Sequence, residues 1–170
     1  MISLARLNTA PDEDFVTALG GIYEHSDWVP QRLLPQRPFP DLENLRLAMR
    51  QLVENASDAE KLALIRAHPD LAGKLAKAGK LTEESTREQA GLGLDRLGDQ
   101  EYERFQDMNE RYREKFGFPF IICARLTTKP GVLEAFDKRL EHSREQEICE
   151  ALAQIHQIVR LRLEDAVQDL

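Results

Sequence analysis

The chain has 170 residues, 42% hydrophobic and 31% charged, with a formal net charge of -7. That size suits one domain, residues 1–170, with a single sizeable core, and the acidic balance speaks against a nucleic-acid partner, which needs a basic surface. Dispersed lysines and arginines speak against an anionic membrane surface, and no run approaches the roughly 20 apolar residues that cross a bilayer.

From the N-terminus, DEDFVTALGGIYEHS spaces Phe15, Leu19 and Ile22 as one helical face. WVPQRLLPQRPFPD carries Pro30, Pro35, Pro38 and Pro40 and predicts an irregular connector, because proline removes a backbone donor. DLENLRLAMRQLVENA sets Leu42, Leu45, Met49, Leu52 and Val53 in a stripe. Ser57 to Glu60 is a capping-box pattern opening the next helix, which should end near Ala67 and His68, ahead of Pro69. Thr82 is the expected N-cap of a helix with Glu83 and Glu84 in its first turn. YERFQDMNERYREKFG aligns Tyr102, Phe105, Met108 or Asn109, Tyr112 and Phe116, with Gly117 as the stop. Ser143 to Gln146 repeats the capping box and opens a long helix with a stripe of Ile148, Leu152, Ile155, Val159 and Leu163. Only FIICA, Phe120 to Ala124, could be a strand, and one short run builds no sheet. It reads as buried helix or extended core. The expected class is all-α, a single-domain multi-helix bundle of about seven to nine helices.

Two cysteines, Cys123 and Cys149, make no disulfide framework. With no apolar leader at the N-terminus and no peroxisomal tripeptide in AVQDL, the expected location is cytoplasmic.

Four pieces could carry chemistry. His68 lies between a helix and Pro69, in a turn expected to stand outside the packed core. Imidazole exchanges protons near neutral pH, but it could equally be a polar turn residue. Ser85, Glu88 and Gln89 stand at i, i+3 and i+4 and would share a face, if Ser85 is not itself an N-cap. KFGFPFIICAR brackets an apolar run with glycine, proline and arginine. It is core, or non-helical backbone whose N–H groups serve an anionic ligand. Arg162 falls on the apolar stripe of the last helix, either buried with a carboxylate partner or snorkelling at the border.

HPDLAGKLA, LTEESTREQAGL, FGFPFIICAR and IVRLRLEDAV, with YEHSDWV and its Trp28 near the start, stand in one order along nearly the whole chain. Together they resemble the 2-oxo-4-hydroxy-4-carboxy-5-ureidoimidazoline (OHCU) decarboxylases of urate catabolism. The resemblance implies an all-α homodimer without metal or organic cofactor, releasing CO2 from OHCU to give (S)-allantoin. It implies a catalytic pair in His68 and Glu88. It further implies substrate binding by Pro69, by Ser85, Thr86, Arg87, Glu88 and Gln89, by Phe120, Ile121, Ile122, Cys123 and Ala124, and by a late arginine. That arginine is Arg162, with Arg160 as the alternative. Two other readings stand beside it. One is a non-catalytic helical interaction module. The other is a metal hydrolase using His68 with Asp70, or His142 with Glu145, neither of which has a third ligand at a convincing spacing.

Overall fold

Local capping chemistry sets most helix boundaries. The computed structural model describes Met1–Asp169, and within it every side chain but that of Leu75. Among these residues nine helices have six residues or more, and a tenth, α6, has four. The backbone forms two compact units. One comprises Met1–Ala67 with the chain from His156 onward, and the other comprises His68–Ile155.

The first unit holds α1 (Leu4–Thr9), α2 (Asp12–Leu19), α3 (Trp28–Leu33), α4 (Leu42–Glu54) and α5 (Asp58–Arg66). It also holds the last turns of α10 (Arg144–Ala166). Strands β1 (Ile2–Ser3) and β2 (Val167–Gln168) pair in parallel, with Ile2 opposite Val167. Helix α2 stops at Leu19, so Ile22 is buried from the turn beyond it rather than from the helix. Asp41 caps α4, accepting the Asn44 N–H at 2.7 Å, and Leu45, Met49 and Val53 face the core. Ser57 and Glu60 form the expected reciprocal capping box on α5. The proline-rich connector is a correction. Trp28–Leu33 is helical with Pro30 in its first turn, where backbone N–H groups have no intrahelical acceptor to lose. A 3-10 turn, Leu34–Gln36, follows.

The second unit holds α6 (Lys74–Lys77), α7 (Glu83–Gly91), α8 (Asp99–Phe116), α9 (Lys129–Arg139) and α10 as far as Ile155. Thr82 caps α7, accepting the Ser85 N–H at 3.3 Å, so Ser85 lies within the helix and is not its cap. Gly117 ends α8 at φ 79°, a left-handed conformation that glycine adopts without Cβ strain. The rings of Tyr112, Phe116, Phe118, Phe120 and Phe136 then pack at centroid distances of 4.6 to 6.1 Å. Ser143 and Gln146 bond reciprocally at the start of α10. The buried stripe of that helix differs from its periodic reading. Glu147 and Ala151 are buried in place of Ile148 and Leu152, because Glu147 finds a cationic partner in the core. Phe120–Cys123 is neither helix nor strand, and Ala124–Leu126 forms a 3-10 turn.

Candidate active site

The HPDLAG segment begins where α5 stops. Ala67 caps that helix and His68 sits in the following bend. The expectation that His68 stands outside the core is corrected: only 6% of its surface is exposed. The imidazole is therefore largely removed from bulk water.

The loop after His68 is held from two helices. Gln89 of α7 accepts the Ala72 N–H at 2.9 Å and donates to the Asp70 carbonyl at 3.1 Å. From α8, Asn109 donates to the Leu71 carbonyl and Gln106 to the Ala72 carbonyl, both at 2.8 Å. Arg113 Nε adds a 3.0 Å bond to the Asp70 carboxylate. Three consecutive carbonyls, Asp70 to Ala72, thus receive side-chain donors. Ala72 is driven to φ 50°, unusual for a residue with a Cβ. Gly73 is required by close approach, since a Cβ there would lie 2.8 Å from the Asp70 Cβ. The loop is a fixed piece of structure, and it follows directly from His68 and Pro69.

Helix α7 turns the expected face inward. Ser85 and Gln89 are buried and Glu88 is half-buried. Thr86 and Arg87 point the other way. The Thr86 hydroxyl donates to the Thr82 carbonyl at 2.8 Å, and Arg87 lies 4.0 Å from Glu84 at the surface. The side chains of the S-x-x-E-Q segment that converge inward are therefore Ser85, Glu88 and Gln89. The Gln89 amide is spent largely on the His68 loop, a role the sequence did not disclose.

The third piece packs beside α7. Phe120, Ile121, Cys123 and Ala124 are buried and Ile122 is half-buried. Burial pushes the Cys123 thiol above its ordinary pKa, and the nearby negative charge of Glu88 pushes it the same way. The Cys123 N–H donates to Gln154 Oε1 at 2.9 Å, and the Ile121 carbonyl accepts from Arg139 at 2.7 Å. Loop, α7 face and non-helical stretch all belong to the second unit.

Arg162 belongs to the first unit, where it is 4% exposed. Its Nη1 donates to Glu24 Oε2 at 2.9 Å and to the Gly21 carbonyl at 3.3 Å, and Glu24 is 2% exposed. Arg160 pairs instead with Glu164 at 3.0 Å, one turn along the helix surface. Of the two arginines considered, Arg162 is the buried one. Glu24 went unremarked in the sequence, although a buried arginine called for a carboxylate. The trace in the sequence was YEHS itself, a glutamate inside one of the segments that carry the resemblance, whereas the burial of Tyr23 and the φ of 46° at His25 show only in the structure.

Both proposed metal pairs are committed elsewhere. Asp70 is paired with Arg113, and His142 Nδ1 meets Glu147 at 2.8 Å while Glu145 is exposed. Among the described residues no three His, Cys, Asp or Glu side chains are grouped to hold a metal ion.

A buried imidazole on a pinned loop and a half-buried carboxylate on the helix that pins it are the ionisable groups of this candidate site, and such groups are the ones that general acid–base enzymes use. Comparison with known proteins narrows that class. The model of the OHCU decarboxylase family matches residues 8–164. The 2-oxo-4-hydroxy-4-carboxy-5-ureidoimidazoline decarboxylase of Haloferax volcanii is 42% identical over 162 residues, covering 95% of this chain and 94% of that protein. The enzyme of the same name from Halalkalicoccus jeotgali is 42% identical over 164 residues, covering 96% and 91%. A crystal structure of (S)-allantoin synthase superposes with a TM-score of 0.77 at 34% identity. It covers 99% of this chain and 54% of that one. The chain belongs to the OHCU decarboxylase family.

Proposed function

We propose that this chain decarboxylates OHCU to (S)-allantoin in urate degradation, with His68 and Glu88 as its proton-transfer groups. The observation that carries this reading is the family match over residues 8–164, which takes in every residue of the candidate site.

The substrate explains the choice of groups. One ring carbon bears both carboxylate and hydroxyl, and its ureido-bearing neighbour is an imine-like centre. When the carbon–carboxylate bond breaks, CO2 leaves and its electron pair forms a double bond to that neighbour, while the imine π pair passes to the ring nitrogen, which takes up a proton. Loss of the hydroxyl proton then makes a carbonyl, and the ureido-bearing carbon takes up a proton on one face. The electron sink lies within the substrate, so no organic cofactor is called for, and none is proposed. His68 and Glu88 share the two later proton movements, off the hydroxyl and onto the ureido-bearing carbon. Ser85 and the main chain of Phe120–Ala124 hold substrate oxygens, Pro69 lines the site, and Gln89 fixes the loop that carries His68. Within that stretch the Cys123 N–H serves Gln154. Thr86 and Arg87 are exposed and the Thr86 N–H is taken by the Thr82 carbonyl, so the resemblance alone assigns them to substrate binding. The resemblance alone assigns Arg162 to a substrate oxygen, with Glu24 fixing its guanidinium.

Residues 1–170 are read as one family domain, since the family match runs through both units. A homodimer is proposed from the resemblance. A cytoplasmic location is proposed from the two cysteines, which form no disulfide. The direct test incubates the pure protein with freshly generated OHCU and follows optical rotation. Rapid appearance of (S)-allantoin is expected, against slow racemic decay without enzyme. Decay at the uncatalysed rate would overturn the assignment.

A further inference from the structure

We infer that Arg139 and Gln154 are positioning residues for substrate binding, because between them they fix the backbone path of Phe120–Ala124. This rests on the reading that Phe120–Ala124 meets the substrate through its main chain.

Arg139 comes from α9 and Gln154 from α10. Arg139 Nη1 donates to the Ile121 carbonyl at 2.7 Å, and Gln154 Oε1 accepts the Cys123 N–H at 2.9 Å. Together they replace a neighbouring strand. Cys123 is extended, at φ -70° and ψ 98°. With the Ile121 carbonyl and the Cys123 N–H committed to these two side chains, the N–H and carbonyl of Ile122 are the peptide groups between them that neither side chain holds. Ile122 is also the one member of the five whose side chain is not buried.

Arg139 is held rigidly for this task. Its Nε and Nη2 donate to Glu147 Oε2 at 3.0 and 2.9 Å. The same carboxylate accepts from the Tyr112 hydroxyl and lies 2.8 Å from His142 Nδ1. The guanidinium stacks 4.3 Å from the Phe120 ring centroid. Arg139 is 4% exposed and Glu147 is not exposed at all. Desolvation leaves such a buried pair with little net stability over an apolar core, so its presence points to a geometric task. Only a planar fork can meet Glu147 on one edge and a carbonyl on another, which lysine cannot reproduce.

The test uses Arg139→Lys, Gln154→Leu and Gln154→Glu in the full chain. It measures kcat and KM for OHCU, with amide NMR of Ile122 to Ala124 during titration with (S)-allantoin. Gln154→Leu removes the acceptor at similar volume and should raise KM about tenfold with kcat within about twofold, and Arg139→Lys should act in the same direction. Gln154 Nε2 also donates to Glu150 Oε1 at 2.8 Å, so Gln154→Glu is made together with Glu150→Gln. The two changes together restore the acceptor without opposing two carboxylates and should return KM toward the parent value, which a packing defect would not do. If Arg139→Lys fails to fold, the Gln154 pair decides. Unchanged KM in Gln154→Leu, while (S)-allantoin still shifts the parent amides, would overturn the positioning role alone. Parent amides that do not respond at saturating (S)-allantoin would overturn the binding reading of the stretch, and this inference with it.

Discussion

His68 has little contact with bulk water, and that sets the cost of replacing it. Asparagine keeps a polar side chain but cannot relay a proton, so His68→Asn should lower kcat by about 10²–10⁴-fold. Because the site is buried, a partner left unsatisfied should also cost about 1–3 kcal/mol, readable as a lower urea midpoint with an unchanged m-value. Product chirality gives the cleaner readout of catalysis, drifting from S toward racemic as spontaneous decay takes over. Glu24 illustrates the opposite case, a residue whose charge matters through another. Glu24→Gln leaves the buried Arg162 guanidinium without its carboxylate and should cost about 3–5 kcal/mol in equilibrium unfolding. A loss under about 1 kcal/mol would mean that the pair is hydrated in solution.

At the scale of the element, the His68 loop depends on Gly73 as much as on its hydrogen bonds. Gly73→Ala must push the new methyl against the Asp70 Cβ, which has no flexible end to swing away. The loop should shift by tenths of an ångström, lowering kcat while thermal unfolding stays cooperative. Full activity in Gly73→Ala would show that the loop yields without moving His68. Much of this layer was legible in the sequence because capping is local. Ser57, Thr82, Gly117 and Ser143 each act within a few residues of themselves, and each does what its pattern announced. What was hidden depends on distant partners. Nothing near Glu147 in sequence says that Arg139, Tyr112 and His142 will solvate it, so the first two positions of the stripe fall one residue off, while Ile155, Val159 and Leu163 are buried as read. Two-residue strands at opposite ends of the chain leave no periodic trace. Trp28–Leu33 was masked by proline count, although Pro30 occupies a position in the first turn that proline tolerates. Within the site, the grouping of Ser85, Glu88 and Gln89 was readable from helical spacing, whereas the use of the Gln89 amide was not.

For the molecule as a whole, the first unit carries a group of side chains that respond to acid. Burial holds the His156 pKa below its ordinary value, the charges of Arg50 and Arg46 add to this, and Glu54 opposes it. Its Nδ1 is buried without a hydrogen-bond partner. A group whose folded pKa is depressed contributes stability above its unfolded pKa and loses it as pH falls through the folded one. For His156 that loss begins below about pH 6.5. The carboxylates follow at lower pH. Hydrogen bonds from Arg32 and from the backbone and hydroxyl of Ser57 hold Glu60 down at about 2, and Asp41, Glu43 and Glu54 are lowered by their own partners. All of these groups lie in the first unit. So does Trp28, the single tryptophan, whose emission therefore reports that unit. The urea midpoint followed by Trp28 fluorescence should fall between pH 7.5 and 5.5, then fall again below about pH 4.5. His156→Gln should flatten the first decline and leave the second in place. A parent midpoint that stays constant down to pH 5.5 would mean that His156 charges in the folded protein as readily as in the unfolded chain.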